Sequence, residues 1–216
     1  MVFQVIYVND ILLIGNDVDV LTSVKFWLAK QFDMKDLGKA NYVLGIQLFR
    51  DRKNKMIAIS QNSYIDKVLK KFSIQNSKKG EQHSRTGVTL SMDDYLKTFK
   101  EKEYIEKVPY ASCLGSLTYA MISTRPNICY KIGIVSQYQS NPEPNHWVAI
   151  KHILNYFRRT TNYMLVYSRE DLMPIGYKDF DFQSDKDSRK STSGSVFTLG
   201  SGTIVWRSIK QICIAD

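Results

Sequence analysis

The order of apolar and polar positions along the chain predicts short strands that alternate with amphipathic helices. Near the start, two apolar runs flank Asn9 and Asp10. Both residue types tolerate positive φ, so we expect a hairpin whose two-residue turn is Asn9-Asp10. Further strands are predicted where apolar and polar residues alternate. The expected strands lie within residues 3–7, 11–14, 41–50, 56–60, 164–168, 175–179, 195–199 and 203–206.

Apolar residues three and four positions apart predict two helices in the first third of the chain. Asn16 or Asp17 can cap the first of them. Its buried face is expected to hold Val20, Val24, Trp27 and Leu28. The second helix, within residues 64–72, has an apolar side and a basic outer side. The basic side carries Lys67, Lys70 and Lys71.

Three apolar helices are predicted in the middle of the chain, after a polar segment of mixed charge. Pro109 opens the first helix, Pro126 opens the second, and Asn145 caps the third. In the third helix the positions spaced for burial are Trp147, Ile150, Leu154 and Phe157. Residues 74–108 precede these helices and contain turn-forming and mixed-charge runs, so we expect a linker there.

The positive charge of the chain is concentrated in its middle. The net charge is +9, while hydrophobic residues make up 44% and charged residues 24%, as in an ordinary globular protein. Residues 51–110 carry 13 basic and 8 acidic side chains, residues 111–170 carry 6 and 2, and both ends are balanced. This distribution favours a polyanionic partner for residues 51–170, and a solvated basic surface is the alternative.

Other features exclude several classes of protein. Cys113, Cys129 and Cys213 lie in apolar surroundings without Cys-x-x-Cys spacing, which predicts buried reduced thiols and neither disulfides nor a zinc site. No apolar stretch is long enough to span a membrane, and the start lacks a secretory leader. We therefore expect an intracellular protein, cytoplasmic or nuclear, without a small-molecule substrate. The oligomeric state stays open.

Several motifs, in a fixed order, resemble the Pol polyproteins of Ty1/copia-type retrotransposons. Tyr-Val-Asn-Asp at residues 7–10 is similar to the Tyr-Val-Asp-Asp turn of their reverse transcriptase. Asp-Ser-Arg-Lys-Ser-Thr-Ser-Gly at residues 187–194 is similar to part of their ribonuclease H. The other matching segments are 34–38, 42–46, 64–69, 114–119, 124–128, 136–142, 146–156 and 206–211. The resemblance covers nearly the whole chain.

The resemblance implies an α+β fold. It would comprise the end of a reverse-transcriptase palm with thumb-like and helical connection segments, followed by an incomplete ribonuclease H-like antiparallel sheet. The implied divisions are 1–73 for the palm end and thumb-like region, 74–108 for the linker, 109–160 for the helical connection and 161–216 for the partial ribonuclease H-like domain. The implied nucleic-acid-binding residues are Lys67, Lys70, Lys71, Lys151, Arg158 and Arg159.

The resemblance also implies a site for Mg²⁺ at the hairpin, because polymerases of this kind hold two metal ions with carboxylates. Asp10 is the catalytic and metal-binding candidate that remains. Asn9 is a degenerate catalytic position, since a neutral amide binds Mg²⁺ poorly. In the family another metal-binding Asp lies well before the turn, and we expect this chain to lack it.

A second set of carboxylates is implied near the C-terminus. Asp179 takes the place of the first catalytic and metal-binding carboxylate of the family's ribonuclease H, and Asp181 is the second candidate. Solvated carboxylates in an acidic loop with Asp185 and Asp187 are the alternative. The next catalytic carboxylate of the family would follow the last residue of this chain.

We therefore expect a truncated and catalytically inactive fragment of such a polyprotein. Its ancestral activities would be RNA-directed DNA synthesis and hydrolysis of RNA in RNA–DNA hybrids, with no Mg²⁺ bound stably here. One alternative is a non-catalytic nucleic-acid-binding module that uses residues 51–170. Another is a relic without a selected role, which would fold poorly.

Overall fold

Alternating apolar residues at the N-terminus form a two-stranded antiparallel hairpin. In the computed structural model, which describes residues 1–73, 99–168, 173–181, 185 and 188–212, its strands are β1, Val2–Tyr7, and β2, Asp10–Gly15. Tyr7 pairs with Asp10, so the turn consists of Val8 and Asn9, one residue earlier than expected. In this register Phe3 lies opposite Ile14, Val5 opposite Leu12 and Ile6 opposite Ile11.

Helix α1, Val18–Gln31, begins at a side-chain cap. Asp17 Oδ1 accepts hydrogen bonds from Asp19 N at 3.0 Å and Val20 N at 3.1 Å, which confirms Asp17 as the capping residue. The expected burial of Trp27 is wrong, because 58% of its surface is exposed. Leu21 approaches the hairpin at Gly15, and Leu28, two turns further along the same stripe, is the buried residue of the helix.

Further strands and helices follow in an alternating order. After β3, Tyr42–Val43, the strands are β4 Ile46–Asp51, β5 Met56–Ser60, β6 Leu165–Ser168, β7 Pro174–Phe180, β8 Thr192–Leu199 and β9 Gly202–Lys210. The helices are α2 Asn62–Lys71, α3 Phe99–Glu106, α4 Tyr110–Thr124, α5 Cys129–Ser136 and α6 Pro144–Arg159, with a 3-10 turn, Pro126–Ile128, before α5. Helices and antiparallel strands thus occur in the mixture that the sequence predicts.

The strand expected over residues 41–50 is interrupted at Leu44 and Gly45. Their φ angles are 52° and 74°, both in the left-handed region, which is unusual for a leucine. The hydroxyl of Tyr119 donates a hydrogen bond to the carbonyl of Leu44, and the ring of Tyr64 lies edge-on to that of Tyr119, 4.9 Å between centroids. These contacts hold the irregular backbone, so β4 begins only at Ile46.

Strand β6 lies beside β5, not in the C-terminal sheet where we expected it. Ile59 pairs with Leu48 of β4 and with Leu165 of β6, so β5 is the strand between them. The separate C-terminal sheet has the order β7-β8-β9 and is antiparallel throughout. Tyr167 of β6 connects the two sheets by donating a 2.9 Å hydrogen bond to Thr203 O.

One apolar core joins the helices. Its members include Ile65 of α2, Ile105 of α3, Leu117 of α4 and Leu154 of α6. Helix α3 falls within residues 74–108, where we expected a linker, and Ile105 draws it onto the core; residues 74–98 lie outside the described part. The contacts divide the chain into two compact units, residues 1–43 and residues 44–216, and the expected divisions after residues 73, 108 and 160 stay predictions.

The N-cap of helix α6 is Glu143 and not Asn145, which corrects the expected cap. Pro144 occupies the first helical position, where its missing N–H is not needed. Glu143 N donates a 3.0 Å hydrogen bond to His146 Nδ1, and Tyr138 stacks on the imidazole at 3.9 Å. Both Glu143 and His146 are buried.

Among the described residues, no helix combines the length and the apolar character needed to cross a bilayer.

Candidate functional site

The tip of the N-terminal hairpin carries the candidate polymerase residues. Asp10 opens β2 opposite Tyr7, and strand alternation puts both on the same face as Val5 and Phe3. Asn9 lies in the turn itself, next to Val8, whose φ is 51°. Tyr7, Asn9 and Asp10 are all exposed. The hairpin therefore presents one carboxylate and one neutral amide to solvent.

The ligands available at the hairpin do not match a two-metal site. Two divalent ions need several carboxylate oxygens converging on them. Within the described ranges, no group of three or more His, Cys, Asp or Glu side chains is placed to hold a metal ion. Asp10 by itself supplies one carboxylate, so the described residues do not fit the two Mg²⁺ ions of a polymerase.

Asp179 and Asp181 lie at the end of β7. Asp179 pairs with Gly194 of β8, and its Oδ1 accepts a 2.9 Å hydrogen bond from Phe180 N. Asp181 follows the strand, where its backbone N donates to Thr192 O at 3.1 Å and its Oδ1 accepts from Thr192 N. One oxygen of each carboxylate thus fixes the local backbone. Asp187, the first residue of the segment 187–194, lies outside the described residues.

A groove lies between the 3-10 turn with the start of α5 and the C-terminal sheet. Its volume is about 280 Å³. It is called the α5 groove below, and its lining includes Asn127, Cys129, Tyr130, Asp179, Gly194 and Ser208. Asp181 also borders it, so both candidate ribonuclease H carboxylates lie at one concave surface.

The candidate basic residues occupy α2 and α6. Lys67 and Lys70 are exposed on α2, whereas Lys71 Nζ donates to Ser112 Oγ at 2.8 Å and lies 5.1 Å from the centre of the Phe72 ring. Helices α2 and α6 pack against each other. The basic residues of α6 are Lys151 and, in its last turn, Arg158 and Arg159.

Two further basic residues stand near Lys151. Lys131 of α5 and Lys151 both lie close enough to His152 to act on its charge. Burial is the main cause that lowers the pKa of His152, and the two lysines lower it further. Lys131 was not among the residues expected to bind nucleic acid. Its proximity to α6 depends on how α5 packs, which the sequence does not show.

Asp185 has a structural role that its place in an acidic loop did not suggest. Its Oδ2 lies 2.5 Å from Lys210 Nζ, which also donates to Gln137 Oε1 at 3.0 Å. Its Oδ1 accepts hydrogen bonds from the backbone N and the hydroxyl of Ser188. Burial would raise the pKa of Asp185, but Lys210 and Ser188 together hold it below the usual value. Asp185 is therefore a partly buried ion-pair partner, not a solvated acid.

Arg125 is a second residue whose role the sequence did not reveal. It is 3% exposed, and its guanidinium donates to the carbonyls of Thr124 and Thr160 at 3.1 and 2.9 Å. Thr124 Oγ1 in turn donates to Gln61 Oε1 at 2.7 Å. Burial lowers the pKa of Arg125, and Tyr156 offsets part of that effect. In the sequence, the only indication of this role was that Arg125 stands between two apolar helical segments.

The cysteines within the described part of the chain are thiols whose pKa values burial raises. Cys113 is fully buried, and burial raises its pKa to about 12. Cys129 is partly buried, and burial raises its pKa as well, against a hydrogen bond from the Ser208 backbone. Both are free, in agreement with the expectation of reduced thiols. Cys213 lies outside the described residues.

Known proteins resemble this chain along most of its length. The sequence model of the family described as reverse transcriptase (RNA-dependent DNA polymerase) matches residues 2–83. The chain is 40% identical, over 99% of its length, to the Retrovirus-related Pol polyprotein from transposon TNT 1-94 of Nicotiana tabacum, of which it covers 16%. It is 30% identical, over 98% of its length, to the Retrovirus-related Pol polyprotein from transposon RE1 of Arabidopsis thaliana, of which it covers 14%.

A third relative is shorter. Secreted RxLR effector protein 161 of Plasmopara viticola is 41% identical over 112 residues, which is 51% of this chain and 79% of that protein. No solved structure matches the chain. The chain thus spans about a sixth or less of the length of the Pol polyproteins that it matches.

Proposed function

Because this chain belongs to the copia-type family of retrotransposon Pol polyproteins, of which it is a fragment with a reverse-transcriptase-like domain, we propose that it catalyses neither DNA synthesis nor RNA cleavage. The matches named as Pol polyproteins cover 98% or more of the chain, whereas the match to the effector covers 51%. The family assignment therefore follows the Pol polyproteins.

The proposal includes an assignment of segments. Residues 1–73 correspond to the palm end and thumb-like region, 109–160 to the helical connection, and 161–216 to a partial ribonuclease H-like domain. The hairpin β1-β2 and the antiparallel sheet β7-β8-β9 support the two ends of this assignment. Because β6 pairs with β5, we place the first ribonuclease H-like strand at β7.

The observation that carries the inactivity is the pair Asn9-Asp10 at the hairpin tip. The reverse transcriptase family uses divalent metal ions, and carboxylate charge is what holds them. Asn9 keeps the shape of an aspartate but removes its charge, and Asp10 belongs to no described group of three metal-binding side chains. At the α5 groove, Asp179 and Asp181 each use one oxygen for the backbone, and among the described residues no third acidic side chain joins them in its lining.

Primer extension tests the first half of the proposal. The 216-residue chain would be incubated with a primed RNA template, deoxynucleotides and Mg²⁺, beside the Asn9→Asp variant. We expect no extension from either, because one restored carboxylate still leaves two ions short of ligands. Template-dependent extension by the natural chain would contradict the proposal.

Hybrid cleavage tests the second half. A labelled RNA–DNA hybrid and Mg²⁺ would be incubated with the chain and with Asp179→Asn. We expect no cleavage by either protein. RNA cleavage that Asp179→Asn abolishes would show an active ribonuclease H site and overturn the proposal.

Nucleic-acid binding is a second candidate function, and the charge of the helical layer favours it. Residues 110–159 contain one acidic residue, Glu143, and it is buried. The same stretch carries Lys131, Lys151, Arg158 and Arg159, while α2 adds the exposed Lys67 and Lys70. Phosphates attract such a surface in a salt-dependent way, because each contact releases counterions.

A charge-reversal experiment tests this binding. Affinity for a labelled RNA–DNA hybrid would be measured at about 50 and about 200 mM salt, the range in which phosphate contacts weaken strongly. Lys67→Glu with Lys70→Glu should weaken binding and lower the salt slope by about two. The matched control is Lys35→Glu with Lys39→Glu, two exposed lysines before β3. Absence of salt-dependent binding at micromolar protein would remove this candidate.

A further inference from the structure

The C-terminal sheet β7-β8-β9 has one face against the helices and one face in solvent. Even-numbered residues of β9 point to the helices, since Trp206 packs against the apolar core and Lys210 Nζ donates to Gln137 Oε1 at 3.0 Å. Side chains alternate along a strand, so the odd-numbered residues point the other way. Those in the middle of β9 are exposed, and they are Val205, Arg207 and Ile209.

Strand pairing arranges this second face in three rows that run across the sheet. Residues directly opposite each other in antiparallel strands point to the same side. Read from β7 to β9, the rows are Gly176, Phe197 and Val205; Lys178, Ser195 and Arg207; and Phe180, Ser193 and Ile209. These nine residues are called the outer face below. Its middle row carries two cations, and the row on each side carries a phenylalanine.

Both phenylalanines of the outer face are accessible to a ligand. Phe180 is 72% exposed, and Phe197 is 45% exposed. A Cβ on Gly176 would lie 2.7 Å from Phe197 Cε1 and 3.1 Å from its Cδ1, so the ring leans across β7 into the space of the missing side chain. Exposed aromatic rings on a sheet are typical platforms for unpaired bases, because every base has a π-face.

The charges of the outer face are both positive. Its charged members are Lys178 and Arg207, and among the described residues neither forms an ion pair. Alternation along β7 turns Asp179 to the side of the helices, where it borders the α5 groove. The spacing between strands puts the Cα atoms of Lys178 and Arg207 about 10 Å apart. A polyanion complements this row, whereas an apolar protein partner would bury two cations without counter-charges.

The spacing of rings and charges suits a single strand of nucleic acid. The rows of Phe197 and Phe180 are four positions apart, about 13 Å along the strand direction. The basic row lies halfway between them. A strand that stacks a base on each ring therefore passes its phosphates over Lys178 and Arg207. A duplex does not fit in this way, because its bases already stack on each other.

We propose that the outer face binds single-stranded nucleic acid without sequence preference, with bases stacked on Phe197 and Phe180 and the phosphates between them on Lys178 and Arg207. RNA and DNA are both ligands, since stacking and phosphate contacts do not distinguish them. This site is separate from the basic surface of α2 and α6 and does not depend on the hybrid binding proposed there.

Fluorescence anisotropy of the 216-residue chain with a labelled thymidine 12-mer tests the proposal, beside a labelled 12-base-pair DNA duplex. EDTA would be present in both titrations. Phe197→Ala should weaken binding of the single strand at least about fivefold, the lower end for one stacked base. It should leave binding of the duplex unchanged, because a duplex offers no unpaired base to the ring.

Matched variants separate stacking from a general loss of structure. Phe49→Ala removes a phenylalanine of β4 that is 40% exposed, and it should not change the affinity. Phe197→Tyr keeps an aromatic ring and should bind like the natural chain. Gly176→Ala would push the Phe197 ring aside and should weaken binding although the ring is still present. Circular dichroism checks that each variant is folded.

Salt dependence tests the basic row. Each phosphate contact of a single strand contributes about −0.7 to the slope of log affinity against log salt. Lys178→Gln with Arg207→Gln should therefore reduce the magnitude of the slope by about 1.4. The matched control is Lys53→Gln with Lys55→Gln, two exposed lysines in the turn between β4 and β5. Equal slopes for the two double variants would contradict the role of the basic row.

Two other results would overturn the proposal. The first is a single-strand affinity that is the same in the natural chain and in a folded Phe197→Ala protein, or that is absent from both at micromolar concentration. The second is a dimer that Phe197→Ala dissociates and that the thymidine 12-mer leaves intact, which would make the outer face an interface between two copies. Neither result would decide the hybrid-binding experiment, since that experiment relies on Lys67 and Lys70.

Discussion

Arg125 Nη2 donates a 2.9 Å hydrogen bond to Thr160 O, and this contact joins the end of α4 to the end of α6. The same guanidinium reaches Thr124 O through Nη1 at 3.1 Å. The last carbonyls of a helix carry partial negative charge and lack partners within the helix. The buried arginine therefore supplies a donor to one carbonyl at the end of each helix.

Arg125→Met should lower the free energy of unfolding by about 3 kcal/mol, because it leaves buried carbonyls at two helix ends without donors. Urea denaturation of the full chain measures this change. The matched control is Arg50→Met, which removes an exposed arginine and should stay within about 0.5 kcal/mol. Equal effects of the two substitutions would mean that the contacts of Arg125 contribute little.

The Asp185–Lys210 ion pair should make stability depend on pH in the acid range. The folded-state pKa of Asp185 is below its ordinary value of 3.8, so the unfolded chain binds the proton more tightly. The stabilisation is therefore complete above pH 3.8 and is lost as the pH falls through the folded-state pKa. Thermal melts between about pH 2 and pH 6 should show a steeper loss for the natural chain than for Asp185→Asn.

The control for this prediction is Asp36→Asn. Asp36 is paired with Lys25 at 3.0 Å, but both side chains are exposed, so its contribution should be smaller. A pH profile of Asp185→Asn that follows that of the natural chain would show that Asp185 does not control the acid response.

Val8→Gly should stabilise the hairpin by about 1 kcal/mol. Val8 has φ 51°, a conformation that costs a β-branched residue of order 1–3 kcal/mol, whereas glycine adopts it freely. Val5→Gly, in the middle of β1, should instead destabilise the hairpin, because it removes an apolar side chain opposite Leu12. Thermal melting of the two variants measures both effects. Destabilisation by Val8→Gly would show that the backbone at Val8 is not strained.

Two glycines should respond in opposite ways to replacement by alanine. A Cβ at Gly202 would lie 2.2 Å from Tyr167 Cδ1 and 2.7 Å from the Val166 carbonyl, so Gly202→Ala should destabilise the contact between β6 and β9. A Cβ at Gly115, inside α4, meets nothing within 4 Å. Gly115→Ala should therefore add about 0.5–1 kcal/mol of helix stability. Chemical denaturation that ranks the two variants the other way would contradict this packing.

Local patterns predicted the elements well where the pattern was strong. The alternation over Met56–Ser60 gives β5 with the expected ends, and Asp17 caps α1 as its side chain suggests. Local preference gave the wrong turn at Asn9-Asp10 and the wrong cap at Asn145. In the first case the turn lies one residue earlier, at Val8 and Asn9, although either register pairs apolar residues across the hairpin. In the second, the buried contact of Glu143 with His146 started the helix earlier.

The candidate site could be predicted only in part. Sequence motifs identified Asp10, Asp179 and Asp181, and the structure puts the last two at one groove. The other side of that groove, with Asn127 and Tyr130, comes from a segment about fifty residues earlier. No local pattern indicates that this segment meets β7, because the meeting depends on how α5 packs against β9.

The sequence by itself determined the family, the mixture of helices and antiparallel strands, and the loss of charge at Asn9, because these depend on residue identity and short-range periodicity. Tertiary structure alone decided that β6 joins β5, that Arg125 contacts the ends of two helices, and that Asp185 is a partly buried ion-pair partner. These contacts join residues between 25 and about 110 positions apart. Their energy comes from burial and from satisfying polar groups across the fold, which periodicity in the sequence does not encode.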